Sequence, residues 1–169
     1  MKTSHNIEIR IAQIEDLPAL VEIYNQAILT GGVTAHLTTF QAKERNKWFK
    51  NHTPNQYPIL VAAQNTTVVG YASISPYREG RKGLEPTIEL SYYIHSDHHR
   101  KGIGYSLLKA GLETAKKLNY KNVFCVLLAS NEASASLLDK FNFKLWARLP
   151  KVARINGEYF DHLYFGREI

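Results

Sequence analysis

Thr87-Ile88-Glu89-Leu90-Ser91-Tyr92-Tyr93-Ile94, followed closely by His98-His99-Arg100-Lys101-Gly102-Ile103-Gly104, is the stretch on which the reading of this chain turns. The first run is apolar and strand-like. The second opens an amphipathic pattern with Ile103, Leu107, Leu108, Gly111, Leu112, Ala115 and Leu118 on one stripe. A strand, a basic glycine-containing turn and a helix in that order make an anion cradle. Gly102 and Gly104 let the backbone approach a ligand closely. The free N–H groups and the dipole of the helix start favour a diphosphate, and Arg100 and Lys101 add charge. No other helix start in the chain is built this way, so the ligand is expected here.

Working outward, Ile7–Ile11 alternates with period two and reads as a strand. Glu15-Asp16-Leu17-Pro18 opens a helix whose stripe is Leu17, Leu20, Val21, Tyr24, Ala27 and Ile28, with Gly31-Gly32 ending it. Thr38-Thr39 is expected to cap a second helix running to about Asn51, with Trp48 and Phe49 on its inner face. Ile59–Ala63 and Val68–Ser75 read as a hairpin around Asn65-Thr66-Thr67. Residues 76–86 form a polar loop carrying Arg78, Arg81 and Lys82. Val123–Ala129 is almost wholly apolar, as in a strand covered on both faces. Asn131–Lys140 is a short helix. Leu145–Ile155 and Tyr159–Phe165 form a last strand pair around Asn156-Gly157. The order is β-α-α-β-β-β-α-β-α-β-β, an α/β chain read as one domain over residues 1–169.

The chain has 169 residues, 44% hydrophobic, with a net charge of +6. Its basic residues form no long block, and Lys43–Lys50 reads as the solvated face of a helix. No run approaches the roughly 20 apolar residues of a membrane span. Met1 to Asn6 precedes no apolar signal region. The lone Cys125 excludes an internal disulfide, fits a buried mid-strand position and points to a reducing cytoplasm. His95, His98 and His99 have no carboxylate or cysteine partner at zinc spacing, so no metal is expected. Leu107 stands where a dinucleotide-binding fingerprint needs its third glycine, and a Walker A Gly-Lys-Ser/Thr is absent. Trp48-Phe49 and Tyr92-Tyr93 read as packing pairs, so no nucleic-acid partner is expected.

These motifs resemble those of the GNAT superfamily of N-acetyltransferases along essentially the whole chain. The superfamily signature Gln/Arg-x-x-Gly-x-Gly/Ala appears as His99-Arg100-Lys101-Gly102-Ile103-Gly104, with His at its first position. A second signature appears as Asn131-Glu132-Ala133-Ser134 with Asn142-Phe143, Asn142 replacing Gly. Within the superfamily the chain is most similar to the phosphinothricin and methionine-sulfoximine acetyltransferases. It shares their Ile28-Leu29-Thr30-Gly31, their Gly70-Tyr71-Ala72-Ser73 leading to Pro76-Tyr77-Arg78, and their Thr-Val-Glu-x-Ser-x-Tyr-Val strand at Thr87–Ile94. Asn156-Gly157-Glu158-Tyr159-Phe160-Asp161 matches their Gly-x-Trp-x-Asp tail with Tyr for Trp.

The resemblance implies a three-layer α/β GNAT fold, with a mixed twisted sheet of about seven strands, about four flanking helices and a splay at the acetyl-CoA site. It implies that Tyr92, Tyr93 and Ile94 present backbone groups to the pantetheine arm, and that His99, Arg100, Lys101, Gly102, Ile103 and Gly104 grip the pyrophosphate. Ser106 and Asn131 are expected to add contacts. Glu89 matches the family's general base, a role suited to a carboxylate whose pKa is raised. A Glu facing solvent from a half-wetted strand is the other reading, open at this point. Arg78 and Arg81 are expected to bind an acceptor carboxylate, against the alternative of a solvated loop. His36 stands where the family often has an aromatic near the acceptor. Leu138 replaces the family's Tyr or His, so no proton donor for the thiolate is assigned; water, Tyr92, Tyr93 or Tyr159 is conceivable, and a CoA thiol leaves readily.

The function the resemblance implies is acetyl transfer from acetyl-CoA to the amine of a small molecule, expected to be an amino acid or an analogue of the phosphinothricin or methionine sulfoximine type. The alternatives are an acetyl-CoA-binding regulatory module without turnover and a peptide N-terminal acetyltransferase. A homodimer is expected, with Tyr159 near a partner's site.

Overall fold

The computed structural model describes residues 7–169, so the Met1 to Asn6 segment lies outside the described residues. The strands are β1 (Ile7–Ile11), β2 (Ile59–Gln64), β3 (Thr67–Pro76), β4 (Thr87–Ile94), β5 (Asn122–Leu128), β6 (Lys144–Ile155) and β7 (Glu158–Glu168). The helices are α1 (Leu17–Thr30), α2 (Asn46–Lys50), α3 (Ile103–Lys117) and α4 (Glu132–Lys140). One seven-stranded sheet runs β1-β2-β3-β4-β5-β7-β6. Its pairs are antiparallel except β4 with β5, which is parallel. The element order and the mixed sheet agree with the sequence reading.

Two apolar clusters cover the two faces of the sheet. On one, Leu107, Leu108 and Ala115 of α3 and Leu138 of α4 pack on Ala72, Ile74, Ile88, Leu90, Val123 and Cys125. On the other, Leu20 and Ile23 of α1 pack on Ile59, Val61, Val68 and Tyr71, with Trp48 and Phe49 of α2 beside them. The alternation along β4 follows from this: Ile88 and Leu90 are buried under α3, while Glu89, Ser91 and Tyr93 point to the α1 and α2 side.

Local chemistry sets the ends of α1. The Asp16 carboxylate takes the Arg10 guanidinium at 2.7 and 2.9 Å and the Gln13 N–H at 2.8 Å, fastening β1 to the helix start. Gly31 ends the helix at φ 72°. The expected cap of the second helix at Thr38-Thr39 is corrected. Asn25 holds Phe40 at both its N–H and its C=O, each at 2.9 Å, so the chain stays outside the helix there. Helical turns begin only after Gln41, which forms a capping box with Glu44.

A second correction concerns β5. Val123, Cys125 and Leu127 are buried, but Phe124 and Val126 are only half-buried. The sheet opens beside Val126, which lines a cleft, while Phe124 packs on Tyr77 and Trp146, so no helix covers this face of the strand.

Candidate active site

The opening lies between β4 and β5. These strands pair only at Thr87 with Asn122, Ile88 with Val123, and Glu89 with Phe124, then part. On its other side β4 keeps its ladder with β3 as far as Ile94. The His95 N–H reaches the Val69 carbonyl at 2.9 Å and the Thr87 carbonyl takes the Tyr77 N–H at 3.2 Å. By the alternation of an antiparallel ladder, odd-numbered residues of β4 direct their backbone groups to β3, and even-numbered ones direct theirs to the gap. Pro76, which has no N–H, accordingly sits opposite Ile88. Tyr92 and Ile94 therefore face the gap with their backbone polar groups. Tyr93 commits its main chain to β3, and its ring packs on Tyr24 and Tyr71.

A cleft of about 720 Å³ fills the gap. Of the residues expected to hold the coenzyme, Tyr92, Tyr93, Ile94, His99, Arg100, Gly102, Ile103, Gly104 and Asn131 line it, together with Val126, Ser134 and Leu137. At its end the turn before α3 carries two left-handed residues, Arg100 at φ 58° and Gly102 at φ 79°. No side chain caps α3. Its first helical bond runs from the Ser106 N–H to the Gly102 carbonyl, so the N–H groups ahead of it have no partner within the helix. His99 folds back to donate from Nε2 to the Ile94 carbonyl at 3.1 Å. The uncapped turn, the basic neighbours and the unpaired strand edge fit a long, diphosphate-bearing thioester.

Three expected contacts sit differently. Lys101 is outside the cleft lining, with Nζ on the Asp97 carbonyl at 2.8 Å. Ser106 is also outside it, its hydroxyl donating to the Gly102 carbonyl at 3.3 Å. Asn131 lines the cleft while its Oδ1 caps α4 through the Ser134 N–H at 3.2 Å. Leu138, at the position expected to face the thiol, is wholly buried in the core, and its neighbour Leu137 faces the cleft.

Glu89 occupies the last paired rung, where the two strands separate. Burial raises its carboxyl pKa, only partly offset by the Ser91 hydroxyl that donates to Oε1 at 3.2 Å. Around it on the same face stand Ser75, its cross-strand partner, and Phe124, whose ring stacks on Tyr77 at 4.8 Å and meets Trp146 edge-on at 5.1 Å. Burial also holds the Tyr92 and Tyr93 phenols well above the ordinary value, so both stay protonated.

The residues expected to contact the acceptor are spread around this face. His36 is surface-exposed, yet its Nδ1 meets the Tyr24 hydroxyl at 2.5 Å. Desolvation, with Arg45 adding to it, lowers its pKa. Arg78 and Arg81 are exposed and form no ion pair among the described residues. Tyr159 is 60% exposed at the tip of the β6–β7 hairpin, beneath the Arg154 guanidinium. Sequence reasoning missed the Arg45 guanidinium, which lies over Trp48 at 4.4 Å and Phe40 at 5.1 Å. It also missed Ser75, although counting back along the hairpin and the loop from Glu89 was the one signal available for it.

A splayed α/β sheet with a coenzyme cleft and a carboxylate at the fork defines an acyl-CoA-dependent transferase. The model of the Acetyltransferase (GNAT) family matches residues 18–143. The chain is 34% identical to the L-amino acid N-acyltransferase MnaT of Escherichia coli, over 92% of this chain and 90% of that one. It is also 34% identical to the L-methionine sulfoximine/L-methionine sulfone acetyltransferase of Pseudomonas aeruginosa, over 90% and 89%. A GNAT superfamily phosphinothricin acetyltransferase from Sinorhizobium meliloti, solved in complex with acetyl-CoA, superposes with a TM-score of 0.91 at 27% identity, over 96% of this chain and 88% of that one. The chain belongs to the GNAT acetyltransferase family, and it is an N-acetyltransferase that uses acetyl-CoA.

Proposed function

We propose that this enzyme acetylates the α-amine of a free amino acid or a close analogue, with Glu89 as the general base. The observation that carries this reading is the place of Glu89: a desolvated carboxylate at the point where β4 and β5 part. The cleft lies on one side of that point and the Tyr77, Phe124 and Trp146 rings on the other. The relatives named for L-amino acids and methionine sulfoximine support the acceptor class.

Acetyl-CoA supplies an acetyl thioester. The N–H groups of the turn at Gly102 and the start of α3 bind its diphosphate, and the gap-facing groups of Tyr92 and Ile94 orient its arm. Glu89 takes the proton from the acceptor ammonium, directly or through water, leaving a neutral amine to attack. Arg78 and Arg81 are free to bind the acceptor carboxylate. The adduct collapses as its carbon–sulfur bond breaks, the excess proton on the new amide nitrogen passes to water or to the departing thiolate, and no dedicated acid stands at Leu138, which is buried in the core.

The enzyme is further proposed to be a cytoplasmic homodimer. Cys125 is buried and reduced, and the outer strand β6 exposes Leu145, Trp146, Leu149 and Val152 beside Tyr159, an apolar edge suited to a second copy. Thiol release from acetyl-CoA, measured across amino acids, their sulfone and phosphinate analogues and short peptides, tests the acceptor. Turnover with free amino acids supports the reading; turnover with peptides alone, or coenzyme binding with no acceptor consumed, overturns it.

A further inference from the structure

His52 follows α2 and reaches the sheet on the same face as Glu89. Its Nδ1 lies 2.7 Å from the Trp48 carbonyl oxygen, and its Nε2 lies 3.1 Å from Ser75 Oγ. A carbonyl only accepts, so Nδ1 carries the hydrogen. Burial lowers the imidazole pKa, outweighing the Trp48 bond that raises it, and the Arg45 charge lowers it further. At neutral pH the ring is therefore uncharged, and Nε2 presents a lone pair. Ser75 must donate its single hydroxyl hydrogen to that lone pair. Its oxygen is then left with only lone pairs to offer elsewhere.

Ser75 is the register partner of Glu89, and both are half-buried. They form a directly bonded rung, for which the Cα separation is about 5.5 Å, with both side chains on one face. On the other flank Ser91 donates to Glu89 Oε1. We propose that His52 is a positioning residue for the transfer: it fixes the Ser75 hydroxyl so that the Ser75 oxygen accepts a hydrogen bond from the acceptor's ammonium group beside Glu89. An ammonium has three hydrogens to place, and Glu89 alone takes one. A serine free to rotate would spend part of its time aiming its hydrogen at that cation. The bond to His52 removes that orientation before the acceptor arrives. This role rests on Glu89 being the base.

The test uses H52F, S75A, the double variant, H52Q and E89Q in the full chain, with thermal melts to confirm folding. H52F and S75A are each expected to lower kcat about tenfold, the size of one well-placed hydrogen bond, with the KM for acetyl-CoA unchanged. The double variant is expected to be no slower than either single one, because both remove the same oriented hydroxyl. H52Q is expected to recover most of the rate, since its amide can donate toward Trp48 and accept from Ser75. Wild-type kcat in S75A beside a slowed E89Q overturns the inference alone, as do losses that multiply in the double variant. Wild-type kcat in E89Q removes the base itself, and this role with it.

Discussion

Glu89 is held where a carboxylate is costly to ionise, and that makes it testable apart from its neighbours. Its raised pKa means that the protonated form persists above the ordinary carboxylate range. The acid limb of kcat/KM should therefore lie above the 4.5 expected of an exposed Glu, and E89Q should abolish that limb while lowering kcat roughly 10²-fold. Stability runs the other way. A group whose folded pKa is raised stabilises the fold below its unfolded pKa and loses that contribution as pH rises through the folded value. E89Q should thus melt at or above the wild-type temperature at pH 8 and show less advantage at pH 5. Two features of the candidate site stand out in the sequence because the residue type is unusual for its place: a charge in the apolar run of β4, and Gly102 at the mouth of a helix. Ser75 and His52 were not legible, since a serine near a strand end and a histidine after a helix are ordinary until the register brings them to Glu89.

At the scale of elements, the hairpin around Asn65 and the strand-turn-helix at Gly102 were readable because period and turn residues agree. The second helix was misplaced because its start is set by Asn25, distant in sequence, gripping Phe40. Two elements hang on single residues. Asp16 joins β1 to α1, so D16A should cost roughly 2 kcal/mol in urea unfolding, the scale of charge-assisted bonds. The Arg10 bonds depress the Asp16 pKa. Its contribution is therefore present at neutral pH and is lost only as pH falls below 3.8 through the depressed value. At the opposite edge of the sheet Trp146 lies across Gly166, where an added Cβ would collide with its ring. G166A should push the indole off Phe124 and lower stability by about 1–3 kcal/mol. Because Phe124 adjoins Glu89, the acceptor KM should rise as well.

For the molecule as a whole, the parallel β4–β5 contact is the narrow waist of the sheet. The sequence showed that a splay was to be expected only through family resemblance; periodicity alone reads β5 as a strand buried on both sides. The proposed dimer adds a second requirement at the β6 edge. Placing a charge there, as in V152E, should convert a dimer to a monomer in light scattering without changing acetyl-CoA binding. Joined by three rungs beside an open seam, the two half-sheets leave the amides of Tyr92 and Ile94 without a strand to shield them. With acetyl-CoA seated in that seam as proposed, amide exchange at both residues should slow and the melting temperature should climb with coenzyme concentration. An enzyme assembled this way should resist proteases best where acetyl-CoA is plentiful and least where it runs short.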